Sequence, residues 1–207
     1  MDTYSIAFVC TGNRFRSALA EAFVRRLTLG LPVTTESFGT LELDDAPPLP
    51  EALEIGLWCG IDLSGHRARH LGITSLEKID LLLGFEDSHV RHAVVDANAP
   101  RRRSFMLREF VRLVEGVDPV GDQDVGTRAR NVVEQTADLR AGSHGRGAQD
   151  GIRDPFGGTR KLYRETAAEI RELSIALAAA LFGVTDASGL PAVPLKLARS
   201  RRSLWRR

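Results

Sequence analysis

The stretch YSIAFVCTGNRFRSALAEAF, Tyr4 to Phe23, constrains the fold more than any other part of the chain: an apolar run ends at a cysteine, a short loop follows, and an amphipathic helical pattern begins. A strand that passes straight into a helix is the opening of an α/β unit. The same alternation recurs downstream. VTTESFG, Val33 to Gly39, reads as a second strand, and LPEALEIGLWCG as a helix with Pro50 near its start and Gly60 at its end. SGHRARHL suggests another short helix, IDLLLGFE a strand buried on both faces, DSHVRHAVV a helix and SFMLREF a brief fourth strand. The expected architecture is a parallel sheet covered on both faces, with ligands beyond the carboxyl ends of its strands, where Cys10 falls.

The second half is helical and punctuated by glycine. Asp122 to Arg140 carries Val125, Ala129, Val132, Val133, Thr136 and Leu139 on one side, and AGSHGRGAQDGIRDPFGG then reads as a mobile surface loop. A long helix follows, with Leu162, Thr166, Ile170, Leu173, Leu177 and Leu181 in register and Gly183 as its stop. Beyond Gly183 the chain reads as a basic tail. One domain over residues 1–183 and a tail over 184–207 account for a chain of 207 residues.

A chain with 43% hydrophobic and 27% charged residues is an ordinary globular protein. Its first residues lack a basic region followed by a long apolar run, and no later stretch is apolar enough to span a bilayer, so a cytoplasmic location is expected. Two cysteines, Cys10 and Cys59, are too few for a disulfide framework. With a net charge of +1, the global balance says nothing about partners, and the arginines near the C-terminus read as a solvated end. Neither nucleic acid nor stable membrane association is expected.

Cys10 and Arg16 are separated by five residues, and Ser17 follows. A loop of that length between strand and helix can turn its backbone N–H groups inward as a nest for an oxyanion, with the helix N-terminus adding positive character. Gly12 would permit the curl. Arg16 can fork onto two phosphate oxygens, and the same field favours thiolate over thiol at Cys10, making it a nucleophile toward phosphorus. Ser17 can donate a hydrogen bond to that sulfur when it leaves. Attack on a phosphate ester still requires an acid for the leaving oxygen and a base for the following hydrolysis, tasks that one carboxyl group can perform in turn. Asp154, in RDPFGGT just ahead of the long helix, is the candidate, with Phe156 as an apolar wall.

VCTGNRFRS near the N-terminus together with DPFGG late in the chain resembles the low-molecular-weight protein tyrosine phosphatases. The likeness runs from about Tyr4 to Phe182, interrupted by an insertion at about 119–153. The resemblance implies a flavodoxin-like three-layer sandwich with a four-stranded parallel sheet, and a phosphocysteine mechanism with Cys10 as nucleophile, Arg16 as phosphate clamp and Asp154 as general acid and base. It implies substrate contacts from Thr11, Gly12, Asn13, Arg14, Phe15, Ser17, Leu43 and Phe156, and support of the loop by Ser37 and His66 through Asn13. Glu86 falls where the family carries a carboxylate at the end of the third strand. No metal or organic cofactor is implied, and the partners expected are phosphorylated proteins and an opposing tyrosine kinase.

Departures from the family pattern keep other functions in view. Phe15 replaces a second loop cysteine that could trap oxidised Cys10 as a disulfide. Arg14 stands where an aliphatic residue or threonine is common, and Gly157 where many members carry a second aromatic. A phosphoarginine phosphatase is one alternative, opposed by the cation at Arg14. An arsenate reductase-like enzyme is another, and it needs more thiols than Cys59 alone. A phosphate-binding module without turnover is the third. The insertion is either a lid or a neutral addition.

Overall fold

A computed structural model describes residues 3–117, 124–142 and 148–195. Four parallel strands, β1 (Tyr4–Cys10), β2 (Val33–Gly39), β3 (Leu81–Gly84) and β4 (Ser104–Met106), form one sheet in the order β2-β1-β3-β4. The chain therefore steps from β1 to one side and then returns to the other. The crevice at the carboxyl ends of β1 and β3 is the switch point where α/β sheets bind ligands.

Alternation along the central strands sorts side chains to two faces. Tyr4, Ile6, Phe8 and Cys10 of β1 join Leu81, Leu83 and Phe105 in a core closed by α1 (Arg16–Leu27) and the long C-terminal helix α6 (Arg160–Phe182). Ala7, Val9, Leu82 and Met106 face the other way, toward Val90 and Ala93 of α3 (Asp87–Asp96). The molecule is a three-layer α/β sandwich of the flavodoxin-like kind, as the sequence led one to expect.

The helix ends follow local chemistry. Pro50 opens α2 (Pro50–Trp58), where its missing N–H has no partner to lose. Thr159 caps α6 by accepting from the Leu162 N–H, and Gly183 closes it in the left-handed conformation at φ 70°.

Several expectations are corrected. SGHRARHL is not a helix: after a turn at Ser64 and Gly65 the chain runs extended to His70, because the Asn13 side chain accepts from Arg69 N–H and Gly39 N–H donates to the Arg69 carbonyl. β4 ends at Met106, and LREF instead begins α4 (Leu107–Val114), with Leu107, Phe110 and Val114 buried at helical spacing. The helix expected over 122–140 is α5 (Val125–Gly142), its first expected residues lying outside the described ones. α5 packs on α4, α6 and the single turn Arg101–Arg103 beside the edge strand β4, so its described residues form no lid. Its Leu139 is 43% exposed although Ala129, Val132, Val133 and Thr136 are buried.

The loop ahead of Asp154 is anchored where described, since Asp150 and Ile152 are both buried. The chain also continues into the core past Gly183. Leu190 and Val193 are buried in the larger core and Arg171 donates to the carbonyls of Leu190 and Pro191, so the domain does not stop at residue 183. The basic residues from Lys196 onward lie outside the described residues.

Candidate active site

Cys10, the last residue of β1, is 2% exposed, and its Sγ receives the Asn13 N–H at 3.3 Å and lies 3.1 Å from Ser17 Oγ. The loop closes around the sulfur as a nest. Its unusual backbone residue is Asn13, with φ 51°, rather than Gly12, which has no positive φ. A Cβ on Gly12 would meet only Leu43 at 3.5 Å. Asparagine tolerates the left-handed conformation and here also bonds in several directions.

Asn13 is fully buried and ties the loop to its surroundings. Its Nδ2 donates to Ser17 Oγ at 2.8 Å and to Ser37 Oγ at 2.7 Å, its Oδ1 accepts from Arg69 N–H at 2.9 Å, and its carbonyl lies 2.7 Å from His66 Nε2. The Ser37 hydroxyl in turn donates a hydrogen bond to Glu21 Oε2 at 2.5 Å. A continuous chain of side chains therefore runs from Cys10 through Ser17, Asn13 and Ser37 to the carboxylate of Glu21. Sequence reasoning did not single out Glu21; one helical turn separates it from Ser17, which places both on the same face of α1.

The loop also needs a close backbone neighbour. Thr40 N–H donates to the Cys10 carbonyl and Leu41 N–H to the Thr11 carbonyl, both at 3.0 Å. Gly39 makes that approach possible: a Cβ there would lie 3.0 Å from the backbone of Thr11 and Gly12.

Arg16 opens α1 and is 1% exposed. Its Nη1 donates to Glu86 Oε1 at 2.5 Å and to the Ile152 carbonyl at 3.0 Å; its Nη2 donates to Thr11 Oγ1 at 3.0 Å and to Asp154 Oδ2 at 2.5 Å. The structure thus brings Asp154 across 138 residues of sequence to the Cys10 loop. Asp154 Oδ1 also accepts the Phe156 N–H at 3.1 Å, an Asx turn that holds the loop bend.

His89, on α3, was not anticipated. Glu86 N–H donates to His89 Nδ1 at 3.0 Å, so the neutral ring carries its proton on Nε2 and donates it to Thr11 Oγ1, also at 3.0 Å. Burial, then the positive charge of Arg16, push the His89 imidazole down to about 3. Thr11 accepts from both His89 and Arg16, and this leaves the hydroxyl proton of Thr11 as a donor at the pocket.

The pocket at this centre has a volume of about 270 Å³ and is lined by Cys10, Thr11, Gly12, Arg16 and Asp154 at the polar end and by Leu41, Leu43, Leu49, Phe15 and Phe156 along its walls. Phe156 stands 71% exposed on the rim. Leu41 and Leu49 complete walls of which the sequence had suggested Phe15, Leu43 and Phe156. Arg14 also lines the pocket, but its Nε is held by the Pro47 carbonyl at 2.7 Å. Ser37 and His66 stand behind the loop, touching Asn13 rather than the pocket.

Cys59 plays no part in this centre. It is fully buried at the end of α2, and burial pushes its thiol up. Among the described residues no group of three or more His, Cys, Asp or Glu side chains is arranged to hold a metal ion, and no helix is long and apolar enough to cross a membrane.

A thiol in an anion nest at the switch point of a parallel sheet, with guanidinium and carboxyl groups converging on it, defines a cysteine-based phosphatase of the α/β class. A family model described as low molecular weight phosphotyrosine protein phosphatase matches residues 5–139, and the chain belongs to that family of phosphoric monoester hydrolases. Over 115 residues the chain is 30% identical to the low molecular weight protein-tyrosine-phosphatase Etp of Escherichia coli K12, covering 56% of this chain and 76% of that one. Over 170 residues it is 29% identical to a protein-arginine-phosphatase of Bacillus subtilis, covering 81% and 90% respectively. A crystal structure of a YwlE mutant from B. subtilis superposes with a TM-score of 0.60 at 28% identity, over 85% of this chain and 97% of that one. The family match ends before Asp154, which the geometry alone brings to the Cys10 loop.

Proposed function

We propose that this protein removes phosphate from phosphotyrosine in protein substrates through a phosphocysteine intermediate. The observation that carries the reading is the convergence of Cys10, Arg16 and Asp154 at the base of an apolar-walled pocket. The Cys10 thiolate attacks phosphorus while Arg16 and the loop N–H groups hold the equatorial oxygens. As the P–O bond to the substrate breaks, Asp154 gives its proton to the leaving phenolic oxygen. Its carboxylate then takes a proton from water, whose oxygen attacks the phosphocysteine; the S–P bond breaks and inorganic phosphate leaves. Ser17 steadies the departing sulfur by donating its hydroxyl proton. Leu41, Leu43, Leu49 and Phe156 suit the two faces of a phenyl ring.

A second reading, phosphoarginine hydrolysis, is favoured by the likeness to the B. subtilis arginine phosphatase over most of both chains. The exposed carboxylate of Asp154 at the pocket suits a guanidinium, whereas the cation of Arg14 on the pocket wall opposes it. Buried Cys59 gives no support to a thiol relay of the arsenate reductase kind. The proposed setting is the cytoplasm, opposite a tyrosine kinase.

The test is hydrolysis of p-nitrophenyl phosphate, a phosphotyrosine peptide and a phosphoarginine peptide, with chelator present, by the wild type, Cys10→Ser and Asp154→Ala. Turnover lost in Cys10→Ser and greater on the phosphotyrosine peptide supports the reading. Preference for phosphoarginine selects the second, and tight peptide binding without phosphate release by the wild type leaves a binding module.

A further inference from the structure

The carboxyl group of Asp154 sits at the end of a connection that departs from α4, passes through α5 and returns to the sheet just before the acid motif. So long an excursion cannot by itself fix a side chain over a pocket, because the conformational freedom of the connecting chain is not reduced by its length. Something near Asp154 has to hold the returning segment. The structure shows two arginines doing this from one face of α4.

Arg112 forks onto Asp150, with Nε 3.1 Å from Oδ1 and Nη2 2.8 Å from Oδ2. Asp150 is 1% exposed, so its charge depends on that fork. One helical turn earlier, Arg108 Nη1 donates to the carbonyls of Gln149 and of Gly151, the latter at 2.8 Å, while the rest of its guanidinium is braced against Glu169 on α6, with Nε 2.9 Å from Oε1. The next residue is Ile152, whose N–H donates to the Phe85 carbonyl at 2.7 Å and whose carbonyl receives Arg16 Nη1. Every residue from Gln149 to Ile152 is thereby fixed, and Asp154 lies two residues on.

We propose that Arg112 and Arg108, acting through Asp150 and the backbone around it, are positioning residues that hold Asp154 where it can protonate the leaving group. The inference rests on the acid role given to Asp154 above. A displacement of about 1 Å in a reacting group is enough to cost on the order of a hundredfold in rate. Loosening the clamp therefore acts as a partial loss of the acid, with the nest and Cys10 left intact. Such a loss is selective: nitrophenolate leaves readily without a proton, whereas phenolate needs one.

The experiment measures kcat/KM on p-nitrophenyl phosphate and on phenyl phosphate for the wild type, Arg112→Met, Arg112→Lys, Asp154→Ala and the double variant Arg112→Met with Asp154→Ala. Arg112→Met is expected to fall roughly tenfold to a hundredfold on phenyl phosphate and less than about threefold on p-nitrophenyl phosphate, and Arg112→Lys to lie between it and the wild type. In the Asp154→Ala background Arg112→Met should cost nothing further. Should Arg112→Met fail to fold, Arg112→Met with Asp150→Leu replaces the ion pair, of which Asp150 is the buried member, by apolar side chains, and should show the same selective loss. Equal losses on both substrates, no loss, or a loss that multiplies onto Asp154→Ala would overturn the clamp while leaving the phosphatase reading standing. If Asp154→Ala itself discriminates nothing between the two substrates, the acid role falls and the clamp with it; if the wild type hydrolyses neither, the phosphatase reading has failed.

Discussion

Asp154 Oδ2 lies 2.5 Å from Nη2 of Arg16, so the proposed acid and the proposed phosphate clamp are each other's partner. A phosphoryl group that takes an Nη2 hydrogen of Arg16 displaces either this carboxylate or the Thr11 hydroxyl, the two acceptors on that nitrogen. Where it displaces the carboxylate, substrate binding and release of the acid are one event.

Removing the carboxylate should consequently improve anion binding while it harms turnover. Asp154→Ala is expected to bind inorganic phosphate several-fold more tightly as a competitive inhibitor, and to lose on the order of a hundredfold or more in kcat on a phosphotyrosine peptide. Inhibition constants and kcat measured on the same preparations check it. Weaker phosphate binding in Asp154→Ala would contradict the displacement.

Gly39 is the residue through which β2 approaches the nest. Gly39→Ala places a methyl group 3.0 Å from loop backbone, which must shift. The expected outcome is a loss of more than tenfold in kcat/KM and a stability loss of about 1–3 kcal/mol. Gly12→Ala, by contrast, meets only the Leu43 side chain and should leave the melting temperature within a few degrees of wild type. Thermal melts of both variants decide between the two glycines.

Asn13 combines a left-handed backbone with five hydrogen-bonding contacts, three of them through its side chain, so its replacement should be among the most damaging near the site. Asn13→Ala is expected to lose about 2–4 kcal/mol of stability and most of its activity, since Ser17 and Ser37 lose their shared partner in a buried setting. Asn13→Gly relieves the backbone and should recover a part of the stability alone. Chemical denaturation and peptide turnover separate the two contributions.

His89 is held neutral, with its imidazole pushed down to about 3 from an ordinary 6.5. The unfolded chain then binds a proton that the folded one refuses, so this residue makes stability fall as pH drops from about 6.5 toward 3 and contributes no pH dependence above that window. His89→Gln should flatten the stability curve across that interval. Urea denaturation at pH 7, 6, 5 and 4 tests this, and an unchanged slope would contradict it. Because the ring stays neutral near pH 7, its Nε2–H to Thr11 is unaltered there.

The parts that sequence exposes are those decided within a few neighbouring residues. β1 was legible because its apolar run stops at a turn, β2 because the β-branched Val33, Thr34 and Thr35 lead on to a stop at Gly39, and α6 because its period runs unbroken to Gly183. Cys10, Arg16 and Ser17 were legible because a loop of fixed length joins a strand to a helix. The misread elements are the ones whose hydrogen bonds go elsewhere. SGHRARHL is drawn out as extended chain by Asn13 and Gly39, residues distant in sequence, and Asp150 is buried only because Arg112 lies across from it. His89 left one local trace, its spacing of three from Glu86, which lets the ring accept from the backbone N–H at the start of α3. α4 was hidden because its apolar residues follow directly on those of β4.

α5 sits against the flank of the sheet where, among the described residues, β4 has no further strand beside it. Arg140 donates to the Ser104 carbonyl at 2.6 Å and stacks over Phe105, while Arg102 is pinned to Glu134 and Asp138 of the same helix. An uncovered outer strand is a template on which another chain can pair. Helix α5 thus covers part of that edge, and a molecule shorn of it is expected to offer β4 to its neighbours at the concentrations reached in a concentrated stock, where solubility rather than turnover would be the first property to fail.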